Sequence, residues 1–271
     1  MTIALALLAS LSIGTGEFWA GRTVRRLRSE ELTSAFFLFG IIFSVAMLPL
    51  FDGEPVARDM WLGAASGAFN GVALVFLYKA YSESTLGLAA PIAGMLLAAI
   101  PAIVDIGIGD STASTLTVVG IFIGIMSIGL SAFRRGSGAA SWDAIRLAAT
   151  AGFLFGIALT LLGRTSAASG VWPLVPQRAV GFVVAVFIAR ATGPRFLPPR
   201  NLLRRPFVVG VLGSLGIMLL TIASQRGQVG AVAVAGTQFS AVAVLLAYLF
   251  DRERLTLWQT IGVFRTAIAV S

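Results

Sequence analysis

The sequence contains no cysteine and no histidine. Disulfides, thiolate metal sites, imidazole ligands and cysteine or histidine catalysis are therefore excluded. Lysine is almost missing as well: Lys79 stands alone, and no glycine-rich phosphate loop leads to it, so ATP hydrolysis by this chain is not expected. Charge of either sign is scarce. Charged residues fill 12% of the 271 positions against 57% apolar, with a mean hydropathy of +0.91, whereas a soluble domain carries about 25% charged residues. There is no long polar block that could fold as a separate soluble domain. In its place stand repeated apolar segments close to the roughly 20 residues that cross ~30 Å of hydrocarbon as a helix. This is the composition of a membrane chain. Its first apolar segment starts at Thr2 with neither a basic leader nor a small-residue cleavage pattern, and reads as a retained span. The net charge of +8 lies on arginines in short loops between apolar runs, which fits anionic lipid headgroups better than nucleic acid.

Hydropathy broken by turns and charges gives ten spans, at residues 2–20, 33–51, 60–81, 85–108, 116–133, 142–162, 171–191, 206–223, 229–250 and 255–270. Runs such as GVALVFLY and VAVLLAYLF do not alternate as lipid-facing barrel strands must, so the expected fold class is all-α integral membrane. One offset recurs along the chain. Gly21-Arg22-Thr23 repeats at Gly163-Arg164-Thr165, Gly14 matches Gly156, Gly120 matches Gly262, and Gly109-Asp110 aligns one residue further on with Arg252-Glu253. Two five-helix repeats follow, residues 1–133 and 142–271, joined by a linker at 134–141. Five spans per repeat is an odd number, so the second copy enters the membrane from the opposite face, the inverted-repeat plan of many secondary transporters.

The stretch VGAVAVAGTQFSAVAVLLAYLF followed by RERLTLWQTIGV, an apolar helix, a charged turn and a glycine in the next helix, resembles the drug/metabolite transporter superfamily and within it the EamA-like ten-helix group. The resemblance extends over nearly the whole chain and is weaker in the first half, where GDSTAS replaces the charged turn. It implies export or exchange of small metabolites, often amino acids or amphipathic cations, without a cofactor. Efflux of cationic or aromatic drugs is the runner-up within transport; a non-transporting scaffold or lipid-handling protein is the rival from another class, and a packed interior without a polar-lined cavity would favour it. No enzyme is expected, because no span offers histidine, cysteine or paired carboxylates at helical spacing.

Polar residues inside the spans are the candidate substrate-binding set: Glu17, Asn70, Tyr78, Arg178, Gln238 and Ser240. An ionised carboxylate at the centre of a span costs about 2.5–3.5 kcal/mol on insertion scales, so Glu17 needs compensation. Two readings stand open for it: an interfacial carboxylate neutralised by Arg22, or a protonatable group on a central cavity that couples transport to protons. Its counterpart in the second repeat is Leu159, which makes any such site asymmetric. The resemblance extends to type and helix alone here, since related small multidrug transporters use a first-helix glutamate to exchange protons. Arg178 either snorkels to headgroups or clamps a carboxylate with its planar fork. Asn70, Tyr78, Gln238 and Ser240 serve helix–helix hydrogen bonds or line a cavity. Gly63, Gly67 and Gly71 form a small-residue ridge for close packing, and Pro91 and Pro101 are expected to kink their helix. The turn at 251–254 reads as an interfacial anchor or a gate latch, and Asp105 as an interfacial residue. Arg265, midway along a short tenth span, has no physical account beyond an acidic neighbour or water.

With the N-terminus outside, 15 basic residues fall on the inner face and three, Arg58, Arg164 and Arg226, on the outer. The positive-inside rule favours that orientation, whereas the family resemblance implies cytoplasmic termini. A bacterial inner (plasma) membrane is the expected location, with lipids and a small-molecule substrate as partners; monomer and homodimer are both compatible with the sequence.

Overall fold

The computed structural model describes residues 2–107, 141–193, 195–226, 232, 235–236 and 238–251. Among them the chain is helical throughout: α1 (Thr2–Thr23), α2 (Ser29–Met47), α3 (Ala57–Glu83), α4 (Leu86–Gly107), α5 (Trp142–Gly163), α6 (Leu174–Thr192), α7 (Arg204–Ser224) and α8 (Gln238–Asp251), with short 3-10 turns before α3, α6 and α7. The first seven are long and apolar enough to cross a membrane, and α8 is shorter. The chain is an integral membrane protein. The spans expected at 116–133 and 255–270 lie outside the described residues, as do Arg252, Glu253, Arg254 and Arg265.

Helix ends differ from the hydropathy reading where polar residues open or close a helix. The second helix starts at Ser29, about one turn before the expected Thr33, with Glu30 and Glu31 in its first turn; carboxylates there complement the positive end of the helix dipole. α3 extends past both expected ends, to Ala57 and Glu83. α6 begins at Leu174, after a turn through residues 171–173 that hydropathy had joined to it. At the start of α5 the Ser141 hydroxyl accepts the Ala144 amide at 3.0 Å, an ordinary N-cap. α4 is one continuous helix that contains both Pro91 and Pro101.

Close packing follows small residues. Gly63, Gly67 and Gly71 of α3 face Pro173, just before α6, and Gln177 and Gly181 of α6, in the same order along both segments, so the two helices run parallel. A Cβ at Gly67 would lie 2.9 Å from the Gln177 carbonyl carbon; the backbones touch, as the ridge predicts. α2 and α6 run antiparallel, with Phe37 against Gly181 and Arg28 against Gly193. α1 packs antiparallel on α7, where Gly16 meets Gly213 and Ala9 meets Gly216, and parallel on α8, where Gly14 meets Phe239 and Val242. α5 packs on both α3 and α4, and α4 touches α8. Large apolar side chains on the outer surface, such as Trp61, Val183 and Phe187, are exposed as lipid-facing groups are.

The alternation of helices gives the bundle two unlike ends. One carries the arginine-rich connections 22–28 and 190–205 together with Lys79. The other, among the described residues, carries Arg58, Arg164 and Arg226, and two of these have acidic partners: Arg58 with Asp59 at 3.8 Å and Arg164 with Asp105 at 3.1 Å. Asp105 is therefore buried and paired rather than simply interfacial.

Candidate functional site

A cavity lies between the helices of the two halves of the chain. Its wall includes Ile13, Glu17, Phe36, Ser66, Asn70, Leu97, Phe155, Leu159, Gln177 and Phe239, with about 70 Å³ left open at its centre. At ~10–15 Å³ for each water centre that is room for a handful of waters and less than a drug-sized ligand needs. Most of the wall is apolar. The polar exceptions are Glu17, Ser66, Asn70 and Gln177, and Ser66 is already engaged, donating to the Ala158 carbonyl at 2.7 Å.

Glu17 is 7% exposed, and its Oε2 has no hydrogen-bond partner. The pairing with Arg22 is not formed: the Arg22 guanidinium lies over the rings of Phe18 and Trp19, 4.7 and 5.7 Å from their centres, and reaches the Phe250 carbonyl. The buried Tyr78 and Tyr81 hydroxyls lie within the carboxylate's electrostatic reach, and Tyr81 is its hydrogen-bonding neighbour. Tyr81 also walls a small crevice with Arg22, Arg25 and Leu86.

Arg178 is wholly buried, and none of its three guanidinium nitrogens has a hydrogen-bond partner. Snorkelling to headgroups is thereby removed as its use. The guanidinium carbon sits 5.1 Å from the Phe36 ring centre and 5.9 Å from that of Phe37, which gives it cation–π contacts in place of hydrogen bonds. Asn70, Tyr78 and Gln238 are buried, and Ser240 is half-buried near Gly94. Of the six candidates, Glu17 and Asn70 line the cavity itself. Gln177 was not singled out from the sequence, yet it lines the cavity with an unpartnered Oε1; a neutral amide in VPQRAVGF carries no signal of the side it faces. Among the described residues no three carboxylates or other ligating groups gather as a metal site.

At the less basic end, the connection 51–56 and the start of α3 are clasped to the connection 165–173. The buried Asp59 Oδ2 accepts the Ser166 amide at 2.9 Å and the Ser166 and Ser169 hydroxyls at 2.6 Å each. The Glu54 amide donates to the Ala168 carbonyl at 2.9 Å, and the Trp172 indole to the Gly53 carbonyl at 3.0 Å. Gly53 and Gly170 meet there with φ of 148° and 50°, values that only glycine adopts without strain.

No curated protein matches this sequence. Among the solved structures with the same fold is one described only as "Crystal structure of protein", with a TM-score of 0.74 and 14% identity over 99% of this chain and 94% of that chain. At that identity the likeness is one of fold alone. The family comparison is more specific, for the model of the EamA-like transporter family, part of the drug/metabolite superfamily, matches 142–271, the span read from the sequence as the second repeat. With a membrane-spanning bundle and a cavity already in view, the second half of this chain, residues 142–271, is similar in sequence to the EamA-like transporter family.

Proposed function

We propose that the protein is a ten-helix secondary transporter, built from inverted five-helix repeats at 1–133 and 142–271 with a linker at 134–141. It exports or exchanges a small, amino-acid-like metabolite through the central cavity, and Glu17 carries the coupling proton. The observation that carries the reading is a set of contacts that repeat at the offset of 142 residues. Gly14 meets Val242 and Gly156 meets Ile100, each with 2.6 Å between an added Cβ and its partner's Cβ; Ser10 meets Ala235 as Gly152 meets Ala93. Each member of the second contact is 142 residues from one member of the first. The cavity wall obeys the same rule, with Ile13 and Phe155, Glu17 and Leu159, and Leu97 and Phe239 all on it. Equivalent helices α2 and α6 run in opposite directions, which supports inversion over parallel duplication.

A cavity on the axis between two inverted halves can open to either face by rocking one half against the other. The clasp at Asp59 and the small open volume fit a state closed at the less basic end. By the positive-inside rule that end is external, with the N-terminus outside. The polar groups on the wall speak against a non-transporting scaffold. Efflux of cationic drugs keeps one observation in its favour, a carboxylate among Phe36, Phe155 and Phe239. Uptake of a labelled amino-acid panel into proteoliposomes, with and without a pH gradient, separates the readings. Saturable, gradient-driven movement of a neutral amino acid supports the proposal; movement of organic cations alone supports drug efflux; no movement of either removes transport.

A further inference from the structure

We propose that Arg178 and Ser214 form a carboxylate subsite beside the cavity, held shut in this state by the ring of Phe36. The inference rests on the transporter reading and specifies how its cargo is recognised. Both groups are buried in protein, at 0% and 1% exposure, and both lack hydrogen-bond partners: every guanidinium nitrogen of Arg178 and the Ser214 hydroxyl. Such groups are paired in most folded interiors, so two unpaired together mark a place that another molecule fills. They flank one point. A Cβ built on Gly40 would lie 2.7 Å from Ser214 Oγ, 3.0 Å from Arg178 Cδ and 3.3 Å from Arg178 Nε, so α2 presents bare backbone where α6 and α7 bring their polar groups together.

Phe36 lines the cavity while Arg178 does not, and the guanidinium stacks on that ring at 5.1 Å. Phe36 and Arg178 are also 142 residues apart in sequence, so they occupy equivalent positions in the two repeats and meet where the halves face each other. A rotation of the ring exposes the planar fork to the cavity. A guanidinium offers two parallel N–H groups matched to a carboxylate, with the Ser214 hydroxyl as a third donor. On the adjacent wall, Gln177 Oε1 is an unpartnered acceptor suited to an ammonium. The chemistry recognised is a carboxylate next to an ammonium on an apolar body, the head of a neutral α-amino acid.

The test is equilibrium binding of L-leucine, L-leucinamide and 4-methylpentanoate to the purified full chain in detergent, up to millimolar concentration, by isothermal titration. Leucine is expected to bind at least about 10-fold more tightly than its amide, the loss of a charge-assisted contact being worth about 10–100-fold. Arg178→Gln is expected to erase that difference, and Gly40→Ala, which fills the same space while keeping the guanidinium, provides the check if Arg178→Gln does not fold. Equal binding of acid and amide by the wild type, discrimination that survives in both variants, or no binding of any of the three probes overturns the subsite. Leucine binding that discriminates, with no leucine movement across liposomes, would instead leave the subsite standing and remove the transport reading. Transport indifferent to the carboxylate would do the reverse.

Discussion

At the residue scale, two buried groups of opposite charge stand out: the Glu17 carboxylate, whose Oε2 accepts no hydrogen bond, and the Arg178 guanidinium, which donates none. Glu17 lines the cavity with an Oε2 that accepts no hydrogen bond; an ionised carboxylate at the centre of a span would cost about 2.5–3.5 kcal/mol. The proposed function gives Glu17 the coupling proton. Glu17→Gln keeps the shape and removes the titration, so transport driven by a pH gradient is expected to collapse while passive exchange of substrate survives. Gradient-driven uptake equal to wild type per folded molecule would reduce Glu17 to a packing residue. Both Glu17 and Arg178 were legible in the sequence because a charge inside an apolar run stands out. Gln177 and Ser214 were not, since uncharged polar residues among apolar neighbours do not reveal which helix they face. The alternative pairing of Glu17 with Arg22 fails for a reason that spacing along a helix does not expose: the guanidinium finds aromatic faces at Phe18 and Trp19 instead.

Between residue and whole molecule, the elements are held by close backbone approach and by one clasp. The glycine ridge of α3 on α6 was readable as a small-residue repeat, though its partner helix was not. Gly67→Ala drives a methyl group into the Gln177 carbonyl, and overpacking of that kind costs about 1–3 kcal/mol. Gly94→Ala, whose methyl group would meet neighbours at an ordinary 3.6–3.7 Å, is expected to be neutral in the same thermal-unfolding series in detergent. Equal Tm values for the two variants would contradict the packing described. The Asp59 clasp was invisible in the sequence, because Asp59, Ser166 and Ser169 come together only after the chain has crossed the membrane several times. Asp59→Ala leaves two hydroxyls and an amide without their acceptor, a loss of about 1–3 kcal/mol. If the clasp holds that end closed, the variant lowers Tm and raises the reactivity of cavity-lining positions from that side; a Tm unchanged from wild type would show the clasp to be incidental.

For the molecule as a whole, the 142-residue offset is the sequence feature on which the proposed repeat rests. Of the glycines 142 residues apart, Gly14 and Gly156 make contacts that recur at the same offset, with Val242 and Ile100; Gly120 and Gly262 lie outside the described residues. The basic residues likewise separate between the two ends as the loop count predicts, which sets the charge rule against the orientation implied by the family resemblance. The chain has no cysteine, so a single introduced thiol reports its own position. Glu54→Cys, in the clasp, is expected to react with an impermeant maleimide from outside right-side-out cells, and Arg200→Cys only after the membrane is opened; the opposite pattern would invert the topology. In the proposed transport cycle one cavity serves both faces in turn. Asn70→Cys places the probe on the cavity wall, and its labelling by an impermeant thiol reagent, measured from each side of the membrane with and without transported substrate, tests that claim most directly. Labelling is expected from either side, with substrate shifting the balance between them; labelling confined to one side under every condition, or absent from both, would rule alternating access out.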